Sequence, residues 1–107
     1  MRLDVKPSLQ KRCLKAFIDL AIMRYLSGPP LTGYGLSALL MKKIGFIVNP
    51  GMICSSLSAM ERKGWIKCVR NRTGRAYSLT EQGKEIAHNM NSISEESCRI
   101  IRIMLKT

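Results

Sequence analysis

The chain has 107 residues and carries 18 lysines and arginines against seven aspartates and glutamates, a formal net charge of +11 at pH 7. Hydrophobic residues make up 46% of the sequence, which is enough to bury the core of one domain and too many for a disordered chain. No stretch approaches the ~18 uninterrupted apolar residues of a membrane span, and charged residues occupy the place of an export signal's apolar region. We therefore expect a soluble, cytoplasmic protein without a membrane partner.

The cysteines and the single histidine argue against a metal site. Consecutive cysteines are 41, 14 and 30 positions apart, so no closely spaced pair is present to begin a zinc site; the four are Cys13, Cys54, Cys68 and Cys98. His88 lies in a stretch of helical pattern, where a solvated surface histidine is the expected state. Neither paired carboxylates nor a nucleophile beside a base can be recognised. We expect no metal, no cofactor and no enzymatic activity.

The first two helices are predicted by apolar periodicity and by turn-forming residues. Between residues 8 and 26 apolar side chains recur every three or four positions, which is typical of an amphipathic helix. The glycine and prolines at 28–30 end this helix. Thr32 is the expected N-cap of a second helix over residues 33–43, and Gly45 its end. The apolar stripe of the first helix consists of Leu14, Phe17, Ile18, Ala21, Ile22 and Tyr25.

A third helix and a β-hairpin follow. Asn49 is the expected N-cap of a third helix and Pro50 its N1 residue, and Gly64 is expected to end this helix. Residues 65–70 and 76–79 favour strands, and the turn formers between them predict a hairpin. The expected buried side of the third helix consists of Ile53, Leu57 and Met60.

The last segment predicts a single long helix, capped by Thr80 and reaching about residue 105. Its apolar residues alternate in steps of four and three, which is a heptad pattern. A helix of this length would overhang a small body, so we expect self-association as a symmetric homodimer; the alternative is a core helix folded back onto its own domain. The heptad seam consists of Ile86, Met90, Ile93, Ser97, Ile100 and Met104.

Three helices, a hairpin and a further helix predict a mainly α fold with a small β-hairpin, a winged helix-turn-helix. In this fold the third helix, about residues 50–63, enters the major groove of double-stranded DNA. Residues 1–80 would form the DNA-binding domain, and residues 81–107 the C-terminal dimerisation helix. The expected base contacts on the third helix are Met52, Ser55, Ser56 and Ala59.

The positive charge is concentrated around the predicted hairpin. Six cations and no acid lie between residues 62 and 75, which is more than half of the net charge. We expect these side chains to contact DNA phosphates or to enter the minor groove. The six are Arg62, Lys63, Lys67, Arg70, Arg72 and Arg75.

Over residues 17–86 the sequence resembles the PadR family of winged-helix transcriptional regulators. The similarity lies in ordered motifs: Asp-Leu-Ala-Ile at 19–22, Gly-Pro-Pro-Leu-Thr-Gly-Tyr-Gly-Leu at 28–36, Asn-Pro-Gly-Met-Ile at 49–53, Gly-Trp-Ile at 64–66, Arg-Ala-Tyr-Ser-Leu-Thr at 75–80 and Gly-Lys at 83–84. The resemblance implies a homodimer formed through the C-terminal helix that binds palindromic operator DNA, commonly as a repressor.

This sequence departs from the family pattern at three positions. Met52 and Cys54 stand where the family usually has Thr and Tyr, so the family's base contacts do not carry over there. Gly35 replaces a charged residue. The family's tryptophan-lined effector site does not carry over either, because Trp65 lies in the hairpin; any small-molecule effector is unknown.

Two other functions share the charge or the fold. One is an architectural chromatin protein that coats DNA without sequence preference. The other is a winged-helix module that docks a protein partner, for which an acidic recognition surface would be expected and against which the basic hairpin counts.

Overall fold

The computed structural model describes residues 6–72 and 74–106, except for the side chains of Lys6 and Asn71. These residues form five helices and three short strands, with extents of 50 × 28 × 21 Å. None of the helices in this part of the chain is long and apolar enough to cross a membrane. In chain order the elements are α1 (Lys6–Tyr25), β1 (Leu31–Thr32), α2 (Gly33–Ile44), α3 (Pro50–Arg62), β2 (Ile66–Asn71), β3 (Gly74–Leu79), α4 (Glu81–His88) and α5 (Met90–Leu105).

Helix α1 is the centre of the core, because α2, α3 and α4 all pack against it. Its predicted stripe is confirmed, with Ile18 and Ile22 buried and the other four members half-buried. Met23 of α1 and Leu26, which follows the helix, are buried as well. The remaining core side chains come from α2, α3, the α2–α3 connection and the sheet: Leu36, Leu40, Val48, Ile53, Leu57, Met60, Ile66, Ala76 and Leu79.

The helix ends lie where capping chemistry predicts them. The Thr32 hydroxyl accepts a hydrogen bond from the Gly35 amide at 2.9 Å at the start of α2. At its end Gly45 adopts a left-handed conformation, φ 78°, and its amide donates to the carbonyl of Met41. The side-chain oxygen of Asn49 accepts from the Gly51 amide at 2.8 Å at the start of α3. The predicted boundaries of α2 and α3 are therefore confirmed to within one residue.

The sheet has three antiparallel strands in the order β1-β3-β2, one more than the sequence predicted. Strand β1 is only two residues long, Leu31 pairing with Tyr77 and Thr32 with Ala76, too short to produce an alternating pattern. Strand β3 begins at Gly74, whose φ of 123° suits glycine, so the connection is shorter than predicted. Thr73, which the predicted turn included, lies outside the described residues.

The prediction of one continuous C-terminal helix is wrong, because the helix is interrupted at Asn89. The Asn89 side-chain amide donates to the Glu85 carbonyl at 2.9 Å, the acceptor that the Asn89 backbone amide would use in a regular helix. That backbone amide donates to the Ile86 carbonyl instead, which tightens the turn and separates α4 from α5. Helix α4 packs on α1 and β3, whereas no residue of α5, all of which is described, is buried.

Replacement of Gly83 tests how tightly α4 is seated on the hairpin. A Cβ atom at Gly83 would overlap the carbonyl oxygen of Trp65, which cannot withdraw freely because it accepts the Thr80 amide at 3.1 Å. We expect Gly83→Ala to lower the free energy of unfolding by at least ~2 kcal/mol in urea denaturation. Gly28→Ala is the matched control, because nothing lies within 4 Å of its Cβ position. Its change should stay within about 0.5 kcal/mol, and equal losses in the two variants would contradict this seating of α4.

Candidate nucleic-acid interface

Helix α3 is held by one side and exposed on the other. Ile53, Leu57 and Met60 are buried, and the helix packs against α1, α2 and β2. Because an α-helix turns by 3.6 residues, positions 55, 58 and 62 lie opposite these three side chains. Ser55, Ser58 and Arg62 are accordingly exposed. The serine side of α3 therefore faces away from the core.

The four predicted base-contact residues lie along one edge of this exposed side. Ser55 is exposed, Ser56 and Ala59 are half-buried, and Met52 is half-buried and packs against the core cluster. Together with Lys15 of α1 they line a shallow depression. Met52 thus lies at the margin of the exposed side rather than opposite the buried face, and its contact with a base stays a prediction.

Sequence reasoning missed two candidate residues of this surface. Ser58 is exposed in the middle of α3, and its position opposite the buried side chains was available from the helical period alone. Lys15 adds a cation at the edge of the depression, and only the packing of α1 against α3 brings it there.

The wing, which is the β2–β3 hairpin over residues 66–79, lies beside the end of α3. Arg70 pairs with Arg75 across the two strands, and Arg72 is exposed in the turn. Arg62 and Lys63 close α3, where the Lys63 ammonium lies 4.5 Å from the centre of the Trp65 ring.

Arg75 is held against the wing rather than free at its tip. Its Nε donates to the Cys68 sulfur at 3.3 Å, and its guanidinium carbon lies 5.9 Å from the Tyr77 ring centre. Its Nη2 lies 3.8 Å from a carboxylate oxygen of Glu61 at the end of α3. The hydrogen bond to Cys68 is the main cause that raises the pKa of Arg75. Glu61 thus links α3 to the wing by an exposed and therefore weak ion pair.

Lys67 is set apart from the other predicted phosphate contacts. It pairs with Ser78 and, by strand alternation, lies on the opposite face of the wing from Arg75. There it lines a cavity with Arg24 and Lys84, whereas Arg75 reaches toward α3.

The predicted heptad seam divides into two halves. Ile86 and Met90 pack against the core cluster, and Ile93 and Ser97 are half-buried along a groove between α1 and α5. The distal residues, in contrast, are open to solvent. Ile100 is 44% exposed and Met104 is 64% exposed, and the apolar neighbours Ile101, Ile103 and Leu105 are exposed as well.

Comparison with known proteins agrees with this geometry. No family model and no curated protein matches the sequence. A protein of Thermoplasma acidophilum to which the role of transcriptional regulator is assigned is 26% identical, with a TM-score of 0.70 over 90% of this chain and 97% of that chain. A PadR-like transcriptional regulator of Bacillus cereus is 22% identical, with a TM-score of 0.71 over 90% and 98%. The chain has the PadR-like winged-helix fold.

The PadR-like resemblance predicted from the motifs is thereby confirmed for the fold, mainly helical with a small antiparallel sheet. A further solved structure is that of Bacillus subtilis PadR in complex with operator DNA, 22% identical, with a TM-score of 0.58 over 67% of this chain and 45% of that chain. The role given to these similar proteins is that of a transcriptional regulator. The contacts expected of individual side chains stay predictions.

Proposed function

We propose that this PadR-like chain is a dimeric, sequence-specific DNA-binding regulator of transcription that acts as a repressor. The observation that carries the proposal is the exposed side of α3, where Ser55, Ser58 and Arg62 stand clear of the core next to a wing bearing Arg70 and Arg72. A helix exposed in this way fits the major groove, and arginines beside it reach the adjoining backbone. A protein of similar fold, Bacillus subtilis PadR, has been solved in complex with operator DNA, which supports a DNA-binding function for this chain.

Base readout is assigned to one edge of α3. The hydroxyls of Ser55 and Ser56 can donate to or accept from base edges, while Met52 and Ala59 offer apolar surface to thymine methyl groups. This set lacks the Asn, Gln or Arg forks that discriminate bases by two hydrogen bonds. Readout of DNA shape and the pairing of two half-sites would then supply much of the specificity.

Backbone contacts are assigned to the cations of the α3 end and the wing. Arg62 and Lys63 would neutralise phosphates beside the groove that α3 enters, and Arg70, Arg72 and Arg75 would follow the strand next to it. The glutamate that holds Arg75 at 3.8 Å would compete with a phosphate for it, so Arg72, exposed in the turn, is the freer contact. Lys67 remains a predicted phosphate contact on the other face of the wing.

A homodimer is proposed from the distal half of the heptad seam. Ile100 and Met104 are exposed although they continue the pattern of the half-buried Ile93 and Ser97. A second copy that presents the same surface would cover them in a two-fold arrangement. Two α3 helices related by such an axis match two half-sites of a palindrome.

Loss of Arg72 tests the wing contact. We expect Arg72→Ala to weaken binding to all duplex sequences alike and to lower the slope of log affinity against log salt by about one, because one phosphate loses its cation. Fluorescence anisotropy at several salt concentrations measures both quantities. Arg99→Ala is the control, since it removes the same charge from α5, where Arg99 pairs with Glu96. An unchanged slope in Arg72→Ala would show that the wing does not touch DNA.

Selection from random duplexes separates a sequence-specific regulator from an architectural protein. We expect the unchanged chain to enrich a palindromic site, and Ser55→Ala or Ser56→Ala to redistribute the preferred bases with little change in salt dependence. Ser37→Ala, a half-buried serine of α2, serves as the control and should select the unchanged site. Equal affinity for selected and competitor DNA would instead identify a non-specific coating protein.

Charges placed in the distal seam test the dimer. We expect Ile100→Glu with Met104→Glu to produce a monomer in sedimentation equilibrium at concentrations where the unchanged chain is a dimer, because burial of unpaired carboxylates is costly. The helical content in circular dichroism should persist, since neither residue is buried in the single chain. Arg102→Glu reverses a charge on the opposite side of α5 and should leave the dimer intact. A dimer that survives both seam carboxylates would refute this interface.

A further inference from the structure

A cavity of about 600 Å³ lies on the face of the wing that points away from Arg75, between the end of α1, the base of the wing and the junction of α4 with α5. Three cationic side chains line it, Arg24, Lys67 and Lys84. They come from separate elements, so the fold and not the local sequence brings them together.

The cations of this cavity lack compensating charge in its wall. Among the described residues that line it, none is an aspartate or a glutamate. Lys84 lies 3.4 Å from a carboxylate oxygen of Glu81, which is almost fully exposed and therefore screens little. Like charges that face a common concavity repel one another, and a concave wall of low dielectric focuses their potential. An anion bound there would relieve the repulsion.

The rest of the lining is suited to an organic anion rather than to a bare ion. The hydroxyl of Ser78 and the amide of Asn91 provide hydrogen-bond donors, whereas the Ser27 hydroxyl donates to the Met23 carbonyl at 3.4 Å. The apolar side chain of the wall that a ligand can reach is the half-buried Ala87 of α4, because Leu26 and Leu79 are almost completely buried. The volume falls within the range of small-molecule sites, about 300–1,000 Å³.

We propose that this cavity is a binding site for a small amphipathic anion, with a carboxylate or phosphate held by Arg24, Lys67 and Lys84 and an apolar part packed on Ala87 and on the aliphatic stems of the two lysines. The proposal does not depend on the DNA-binding function. A carboxylate and a phosphate monoester share the chemistry that these residues recognise, and the experiment separates them.

The test uses the full-length chain and three probes of one shape: 2-naphthoate, 2-naphthyl phosphate and the uncharged 2-naphthamide. We expect one of the two anions to bind at least about tenfold more tightly than the amide, because only the anions form charge-assisted hydrogen bonds. In two-dimensional ¹⁵N NMR titrations the amide signals of Ser27, Ser78 and Asn91 should shift. The tighter anion identifies the chemical class of the ligand.

Variants of the cations localise the binding. Arg24→Gln with Lys84→Gln should weaken the favoured anion about tenfold and leave naphthamide unchanged. Lys43→Gln, an exposed lysine at the end of α2, is the matched control and should have no effect. Equal binding of anions and amide, or shifts confined to the groove between α1 and α5, would overturn the proposal. It would also be overturned if the double variant bound the anion normally but had a lower salt slope for DNA, since the cavity cations would then serve DNA phosphates.

Discussion

The burial of Ile53, Leu57 and Met60 against the neighbouring helices determines which residues of α3 can meet another molecule. Three side chains at this spacing fix the rotation of a helix about its axis, because each would lose its apolar contacts if the helix turned. The exposed line of Ser55, Ser58 and Arg62 follows from that rotation. The geometry of the candidate interface is thus a consequence of core packing and not of the polar residues themselves.

The wing depends on the same core through a short chain of backbone contacts. The Thr80 hydroxyl donates to the Gly64 carbonyl at 2.6 Å, and the Thr80 amide donates to the Trp65 carbonyl at 3.1 Å, so the hairpin is closed at its base. Gly83 lets α4 approach the Trp65 carbonyl where any side chain would collide. The two strands therefore leave the body from a fixed base, and Arg75 extends the connection back to α3 through Glu61.

Much of this fold could be predicted from the sequence because its signals are local. Thr32 and Asn49 cap helices by contacts within three residues, and the stripe of α1 follows from helical period. Strand β1 could not be predicted, because two residues carry no pattern and its pairing with β3 is set by tertiary packing. The helix break at Asn89 could not be predicted either, because an asparagine is tolerated within a helix. Only the structure shows that its side-chain amide takes the Glu85 carbonyl as acceptor. The separation of Lys67 from Arg75 needed the strand register.

The break at Asn89 separates α5 from α4, so α5 need not continue the α4 axis. In the proposed dimer the two bodies would be joined only through their α5 helices, so the angle at this junction would govern the spacing between the two α3 helices along a duplex. Because α5 is 16 residues long, a change of a few degrees at this junction would displace the far end of α5 by about an ångström or more. The conformation of Asn89, a residue outside the proposed DNA interface, would then set the half-site spacing.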